Sequence, residues 1–237
     1  MFVHGYLGGE AQWSDQSEVF GQHFRVVTPD LPGFGANCHL EAPERIEDYA
    51  NFVLDELTRR GVHRFHLVGH SMGGMIVQEM TRLAPDRIDY LVLYGTGPVG
   101  VIPGRFETIS ESKNRVSAEG VKATGRRISA TWFMDGAQAE NYQVCADLAG
   151  KVSLQAMLAG LSAMEAWSGE GQLHHIKSPT LVLWGDGDRS YKWSQTEQLW
   201  KGIPDAKLAV VPGCAHAVHL EKPYLFNALL MDFFPLE

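Results

Sequence analysis

Residues 65–80 read Phe65-His66-Leu67-Val68-Gly69-His70-Ser71-Met72-Gly73-Gly74-Met75-Ile76-Val77-Gln78-Glu79-Met80. A short apolar run leads into a glycine-rich turn built around one serine, and the turn opens into a stretch of helical length. A serine on so tight a strand-to-helix turn is forced into strained backbone geometry, which holds its Oγ clear of the sheet. A side chain at Gly69 or Gly73 would collide across the turn. The helix beginning at Met72 points its amide dipoles at any anion forming beside Ser71. A lone Gly-x-Ser-x-Gly is a modest signal; the strand before it and the helix after it give it weight.

Working outward, the same alternation recurs. Strands are predicted at residues 1–4, 24–29, 64–69, 88–94, 180–185 and 207–211, and helices at 11–22, 43–60, 72–83, 192–201 and 223–234. Most of the strands are continuous apolar runs, such as Leu91-Val92-Leu93, Leu181-Val182-Leu183 and Ala209-Val210-Val211. That pattern suits a parallel sheet covered on both faces. The predicted class is therefore α/β, a mostly parallel central sheet flanked by helices. From 98 to 176 no strand pattern appears, and helical patterns at 121–133 and 152–167 take its place. Residues 1–97 and 177–237 are read as the core. Residues 98–176 are read as a helical cap over the C-terminal edge of the sheet, where open α/β sheets bind ligands.

Composition narrows the partners. The 237 residues are 45% hydrophobic and carry 28 acidic against 20 basic side chains, a net charge of −8. A nucleic-acid binder would show a basic footprint. The longest charge-free stretch, residues 90–104, is broken by glycines and prolines and is too short to span a bilayer. The expected partner is a small-molecule substrate, with neither nucleic acid nor membrane; monomer and homodimer both stay open. No signal-peptide pattern opens the chain. Cys38, Cys145 and Cys214 are odd in number, far apart and without metal spacing, so a reducing cytoplasm is the expected compartment. Neither a metal nor a cofactor is predicted. The adjacent His174 and His175 point in different directions and have no acidic cluster to complete a site.

A serine hydroxyl is a poor nucleophile until a base takes its proton and a third group orients that base. The sequence should therefore supply an acid and a histidine at later strand ends. Gly185-Asp186-Gly187-Asp188 follows one apolar run, and Pro212-Gly213-Cys214-Ala215-His216 follows the next.

The order Ser71, Asp188, His216 resembles that of the α/β-hydrolase superfamily. The likeness extends over essentially the whole chain. It includes His4-Gly5-Tyr6-Leu7-Gly8-Gly9, Asp30-Leu31-Pro32-Gly33-Phe34-Gly35 and Gly213–His216 followed by Leu220-Glu221-Lys222-Pro223. The resemblance implies Ser71 as nucleophile, His216 as base then acid, and Asp188 as orienting carboxylate. It also implies an oxyanion hole from the main-chain N–H groups of Tyr6 and Met72. Asp186 is read as a turn former, His219 as packing at the start of the final helix, and His4 and Asp30 as loop organisers. Cys214 is not read as a nucleophile, because Ser71 fills that role. Two features depart from the family. Most relatives carry an antiparallel strand pair ahead of the segment matching residues 1–5; either the sequence is a shortened form, or the fold tolerates a smaller sheet with residues 24–29 at an edge prone to association. Ala215 also replaces the usual glycine before the histidine.

A serine in the elbow disfavours dehalogenase and epoxide-hydrolase chemistry, which the family performs with aspartate. The expected reaction is hydrolysis of a small to medium apolar carboxylic ester through an acyl-enzyme. Lactone or carbon–carbon bond hydrolysis, or ligand reception without catalysis, stands behind it. Cap residues Trp132, Phe133, Met134, Met157, Met164 and Trp167 offer apolar surface for an acyl group, and Trp132 is the chosen pocket wall. Arg126 and Arg127 would pair with a substrate carboxylate only if one of them faced the cavity.

Overall fold

A computed structural model describes residues 1–104 and 107–235. Its strands are β1 (Phe2–Val3), β2 (Phe65–His70), β3 (Ile88–Tyr94), β4 (Thr180–Gly185) and β5 (Lys207–Val211). They form one wholly parallel sheet in the order β1-β2-β3-β4-β5. The helices are α1 (Ser14–Phe20), α2 (Ile46–Arg59), α3 (Met72–Leu83), α4 (Ile109–Glu119), α5 (Val121–Ala130), α6 (Tyr142–Ala149), α7 (Leu154–Glu165), α8 (Trp193–Gly202), α9 (Val218–Glu221) and α10 (Pro223–Phe233).

The continuous apolar runs have a simple cause. Successive strand residues point to opposite faces, and here both faces are covered. Leu67, Leu91, Leu93 and Val182 enter a core shared with Val53 of α2 and Ile76 of α3. Val68, Val92, Tyr94, Leu181 and Leu183 enter a second core shared with Phe20 of α1 and Phe226 and Leu230 of α10. Each such aliphatic side chain contributes about 1.5–3 kcal/mol by leaving water. The run in β5 is different. It forms the sheet's far edge, with Lys207 exposed and Val210 44% exposed.

The strand expected at 24–29 does not form, so the sheet has five strands. One ladder bond, from Phe2 N to Val27 O at 2.9 Å, ties this segment to the outer edge of β1. Its partner strand is only two residues long and Pro29 has no N–H to donate. The segment nonetheless shows how the chain travels. It leaves β1 outward, then returns through α2 to β2 on β1's other side. The carboxyl ends of parallel strands are where open α/β sheets hold ligands.

Between β3 and β4 the described residues form α4 to α7 and short turns, with an isolated antiparallel bridge of Val99 to Ser168. The sequence reading missed α4, although its start is signalled by Thr108-x-x-Glu111. The Thr108 hydroxyl accepts from Glu111 N, and the Glu111 carboxylate accepts from Thr108 N at 2.7 Å. This helical segment is fastened over the strand ends. Tyr6 Oη donates to Met157 O at 2.9 Å, and Ala217 N donates to Trp132 O at 2.9 Å. Among the described residues no single helix is long and apolar enough to cross a membrane.

Candidate active site

Ser71 sits between the end of β2 and the first residue of α3 with φ 56° and ψ −118°. A positive φ is a strained state for a residue with a Cβ. Close packing on all sides holds it there. Ser71 N donates to Tyr94 O at 3.0 Å, and Thr96 Oγ1 donates to Ser71 O at 2.8 Å. A Cβ on Gly73 would stand 2.6 Å from His4 O, with Val3 O nearer still. The glycine therefore lets the first turn of α3 lie against the end of β1. A Cβ on Gly69 would stand 2.5 Å from Gly73 O, the collision expected across the turn.

The loop after β1 reaches the serine by the same device. A Cβ on Gly5 would lie 2.9 Å from Ser71 Cβ, so the segment carrying Tyr6 is packed directly on Ser71. Gly5 O accepts from Gly8 N at 3.1 Å and from His4 Nδ1 at 2.8 Å, while His4 Nε2 accepts from Leu31 N at 3.0 Å. That pair of bonds defines a neutral imidazole protonated on Nδ1, and burial holds His4 below the ordinary histidine range. Asp30 accepts from Glu10 N at 2.8 Å and from Ala36 N at 2.9 Å. His4 and Asp30 thus tie the loop carrying Tyr6 to the loop after residue 29. Met72, the other predicted oxyanion donor, is fully buried at the head of α3.

Asp188 and His216 meet at 2.8 Å, Oδ2 accepting from Nδ1, with both side chains buried. The other oxygen of Asp188 accepts from Ser190 N at 2.7 Å and Tyr191 N at 3.0 Å. These three hydrogen bonds, on both oxygens, fix the orientation of the carboxylate. Asp186 serves a different end, its Oδ1 accepting from Gly213 N at 2.7 Å and so fastening the loop that leads to His216. His219 is turned away. It is fully buried, stacked on Trp13 at 4.3 Å, and depressed to about 3 by burial and then by repulsion from His216. Cys214 bonds Glu221 through Sγ at 3.4 Å, and its thiol is pushed up to about 12, chiefly by burial. It is a poor nucleophile.

Ser71 and His216 open into one cavity of about 40 Å³, lined also by Tyr6, Ile102, Ile128, Trp132, Met164 and Tyr191. Its volume suits a few water molecules. Trp132 stands where the sequence reading put it, its ring 6.3 Å from that of His216. Of the other proposed cap contacts only Met164 reaches this cavity. Phe133 and Met157 are core, Met134 is exposed, and Trp167 Nε1 donates to Glu79 at 3.2 Å. Tyr191 was missed; its ring stacks on His216 at 5.7 Å and 14°. Its only sequence signal is position, three residues beyond the acid. Arg126 is exposed, and Arg127 is held by the buried Glu107 at 3.2 Å. Neither lines the cavity among the described residues. A larger groove of about 1000 Å³ lies at the opposite strand ends, beside Phe65, Asp89 and Pro179, far from Ser71. Its size does not make it the chemical site, because it lacks the serine and its imidazole.

A model of the family described as "Alpha/beta hydrolase family" matches residues 1–229. The protein named "Putative carbamate hydrolase RutD" of Agrobacterium fabrum is 29% identical, over 97% of this chain and 90% of its own. A 2-hydroxy-6-oxo-6-phenylhexa-2,4-dienoate hydrolase of Burkholderia cepacia is 27% identical, over 98% of this chain and 86% of its own. In fold, the chain is similar to the enol-lactonase from Burkholderia xenovorans LB400, with a TM-score of 0.87 at 23% identity over 98% of this chain and 90% of that one.

Proposed function

Because the chain belongs to the alpha/beta hydrolase family, we propose that it is a serine hydrolase cleaving small, uncharged carboxylic esters through an acyl-enzyme on Ser71. One observation carries this reading: Ser71 and His216 line the same small cavity, and His216 is tied behind to the buried Asp188. His216, protonated on Nδ1 by its bond to Asp188, presents a bare Nε2 to take the Ser71 proton. Ser71 Oγ attacks the ester carbonyl, and the N–H groups of Tyr6 and Met72 hold the oxyanion. His216 then gives its proton to the leaving alcohol, and next activates the water that releases the acid. Residues 98–176 act as the cap, closing the cavity with Ile128, Trp132 and Met164 and excluding bulk water.

The lining supports esters over carbon–carbon substrates of the dienoate kind, named for one relative. A dienoate brings a carboxylate, and the described lining residues include no lysine or arginine. Arg127 is already neutralised by Glu107. The small volume and apolar lining favour compact, uncharged acyl groups. The test is labelling with a serine-directed fluorophosphonate alongside turnover of p-nitrophenyl acetate and a dienone acid. Labelling at Ser71 and a burst with the acetate are expected. Silence of folded protein in both assays refutes catalysis and leaves a ligand receptor.

A further inference from the structure

The main-chain carbonyl of His216 is gripped by two buried side chains. His70 Nε2 stands 3.1 Å from that oxygen and Tyr94 Oη 2.8 Å from it. A carbonyl only accepts, so Nε2 of His70 carries the proton and its Nδ1 is bare. Tyr94 has one hydroxyl proton and spends it on the same oxygen. The bond between Tyr94 Oη and His219 Nδ1, 3.1 Å, therefore has His219 as donor, joined by His219 N at 3.3 Å. His70 lies on Tyr94 at 4.5 Å and 24°, with its centroid 4.5 Å from that of His216.

Resting on the serine-hydrolase reading, we propose that His70 and Tyr94 are positioning residues. They hold the main chain of the base His216 in register with the neighbouring nucleophile. His70 immediately precedes Ser71, and Tyr94 O anchors Ser71 N. The same two residues thus fix the elbow on one side and the base on the other. Successive residues at a strand end face opposite ways, so Ser71 faces the cavity while His70 reaches beneath it.

The arrangement carries a folding cost that an apolar pair would not. Among the described residues, His70 Nδ1 and His219 Nε2 are buried without a hydrogen-bond partner, and a buried acceptor left unpaired is unfavourable. Burial, then the neighbouring His216 and His219, holds His70 well below the ordinary histidine range, so it stays an uncharged donor. Groups that break local rules at such a cost gather where function uses them.

The test compares His70→Met, His70→Gln and Tyr94→Phe, and the double variant His70→Met with Tyr94→Phe. Glutamine places an amide N–H about where Nε2 stands; methionine fills the space without a donor. Losing one of two donors should lower kcat about tenfold in His70→Met and in Tyr94→Phe, with KM and fluorophosphonate titre kept. The pH midpoint of kcat/KM should hold, because the Asp188 bond is untouched. His70→Gln should recover most of the rate. The double variant should lose more than the product of the singles, its carbonyl then having no donor. A purely structural role would instead lower the titre and the melting temperature, leaving each surviving site at full kcat. That result overturns the proposal, as does equal loss in His70→Gln and His70→Met. The low-field proton resonance of His216 Nδ1 gives a readout independent of turnover. It should broaden in His70→Met and return in His70→Gln, and an unchanged resonance in both also overturns the proposal. A wild type inert to ester and fluorophosphonate would refute the hydrolase reading instead, with that resonance still deciding whether His70 holds His216.

Discussion

Replacing Asp188 by asparagine removes one charge and barely changes shape, and the structure dictates how the amide must sit. Oδ1 of Asp188 faces two main-chain donors, Ser190 N and Tyr191 N. The amide oxygen has to take that position, which turns the NH2 group toward His216 Nδ1. Nδ1 must then accept, so the imidazole proton moves to Nε2, the atom that the proposed mechanism needs bare to take the Ser71 proton. Rotating the amide the other way sets NH2 against both main-chain N–H groups and forfeits two hydrogen bonds, each worth about 1–1.5 kcal/mol. Either choice also loses the carboxylate that stabilises the transient imidazolium. Together these amount to about 4–5 kcal/mol, or a fall in kcat of roughly 10³–10⁴. The assay is steady-state hydrolysis of p-nitrophenyl acetate, with KM and the melting curve as controls for binding and fold. A variant within tenfold of wild type would refute the reasoning. So would Asp186→Asn proving the more damaging substitution, since Asp186 fastens only the loop.

Gly73→Ala would drive its methyl into two main-chain carbonyls, which cannot rotate away as a side chain could. A loss of about 2–3 kcal/mol is expected, read as a melting temperature lower by roughly 5–10 °C. Acid should destabilise the fold through His219. Its pKa falls from the ordinary 6.5 to about 3 on folding, so between those values the unfolded chain binds the extra proton. The stability His219 contributes is whole above pH 6.5 and is lost as pH drops toward 3, amounting to about 5 kcal/mol at about 1.4 kcal/mol per pH unit. Urea unfolding across pH 7 to 4 should show a slope about one proton shallower in His219→Gln than in wild type; equal slopes would contradict the assignment. Trp132→Ala should enlarge the cavity that Ser71 and His216 line while keeping the Trp132 O bond to Ala217 N. Its kcat/KM for hexanoyl over acetyl ester should rise about tenfold, near the worth of two methylenes.

Local patterns in the chain were enough to find β3, β4, β5 and α3 at their observed bounds, because side-chain period and glycine placement are properties of neighbouring residues. They also pointed to Ser71, Asp188 and His216, since each stands just beyond an apolar strand in a turn needing small residues. Tertiary structure decided the rest. Residues 24–29 have strand-forming composition but meet only a two-residue partner, and a ladder needs both sides. Glu107, far from Arg127 in sequence, takes that arginine out of contention for a substrate. Of the six apolar residues singled out for an acyl group, Trp132 and Met164 line the cavity with Ser71, because the position of each depends on how the helices between β3 and β4 settle on the strand ends. The grip of His70 and Tyr94 on His216 joins residues 146 and 122 apart in sequence. Which residues a strand or turn requires is set by a few adjacent bonds; which groups share a cavity is set by packing between segments brought together only when the whole chain folds.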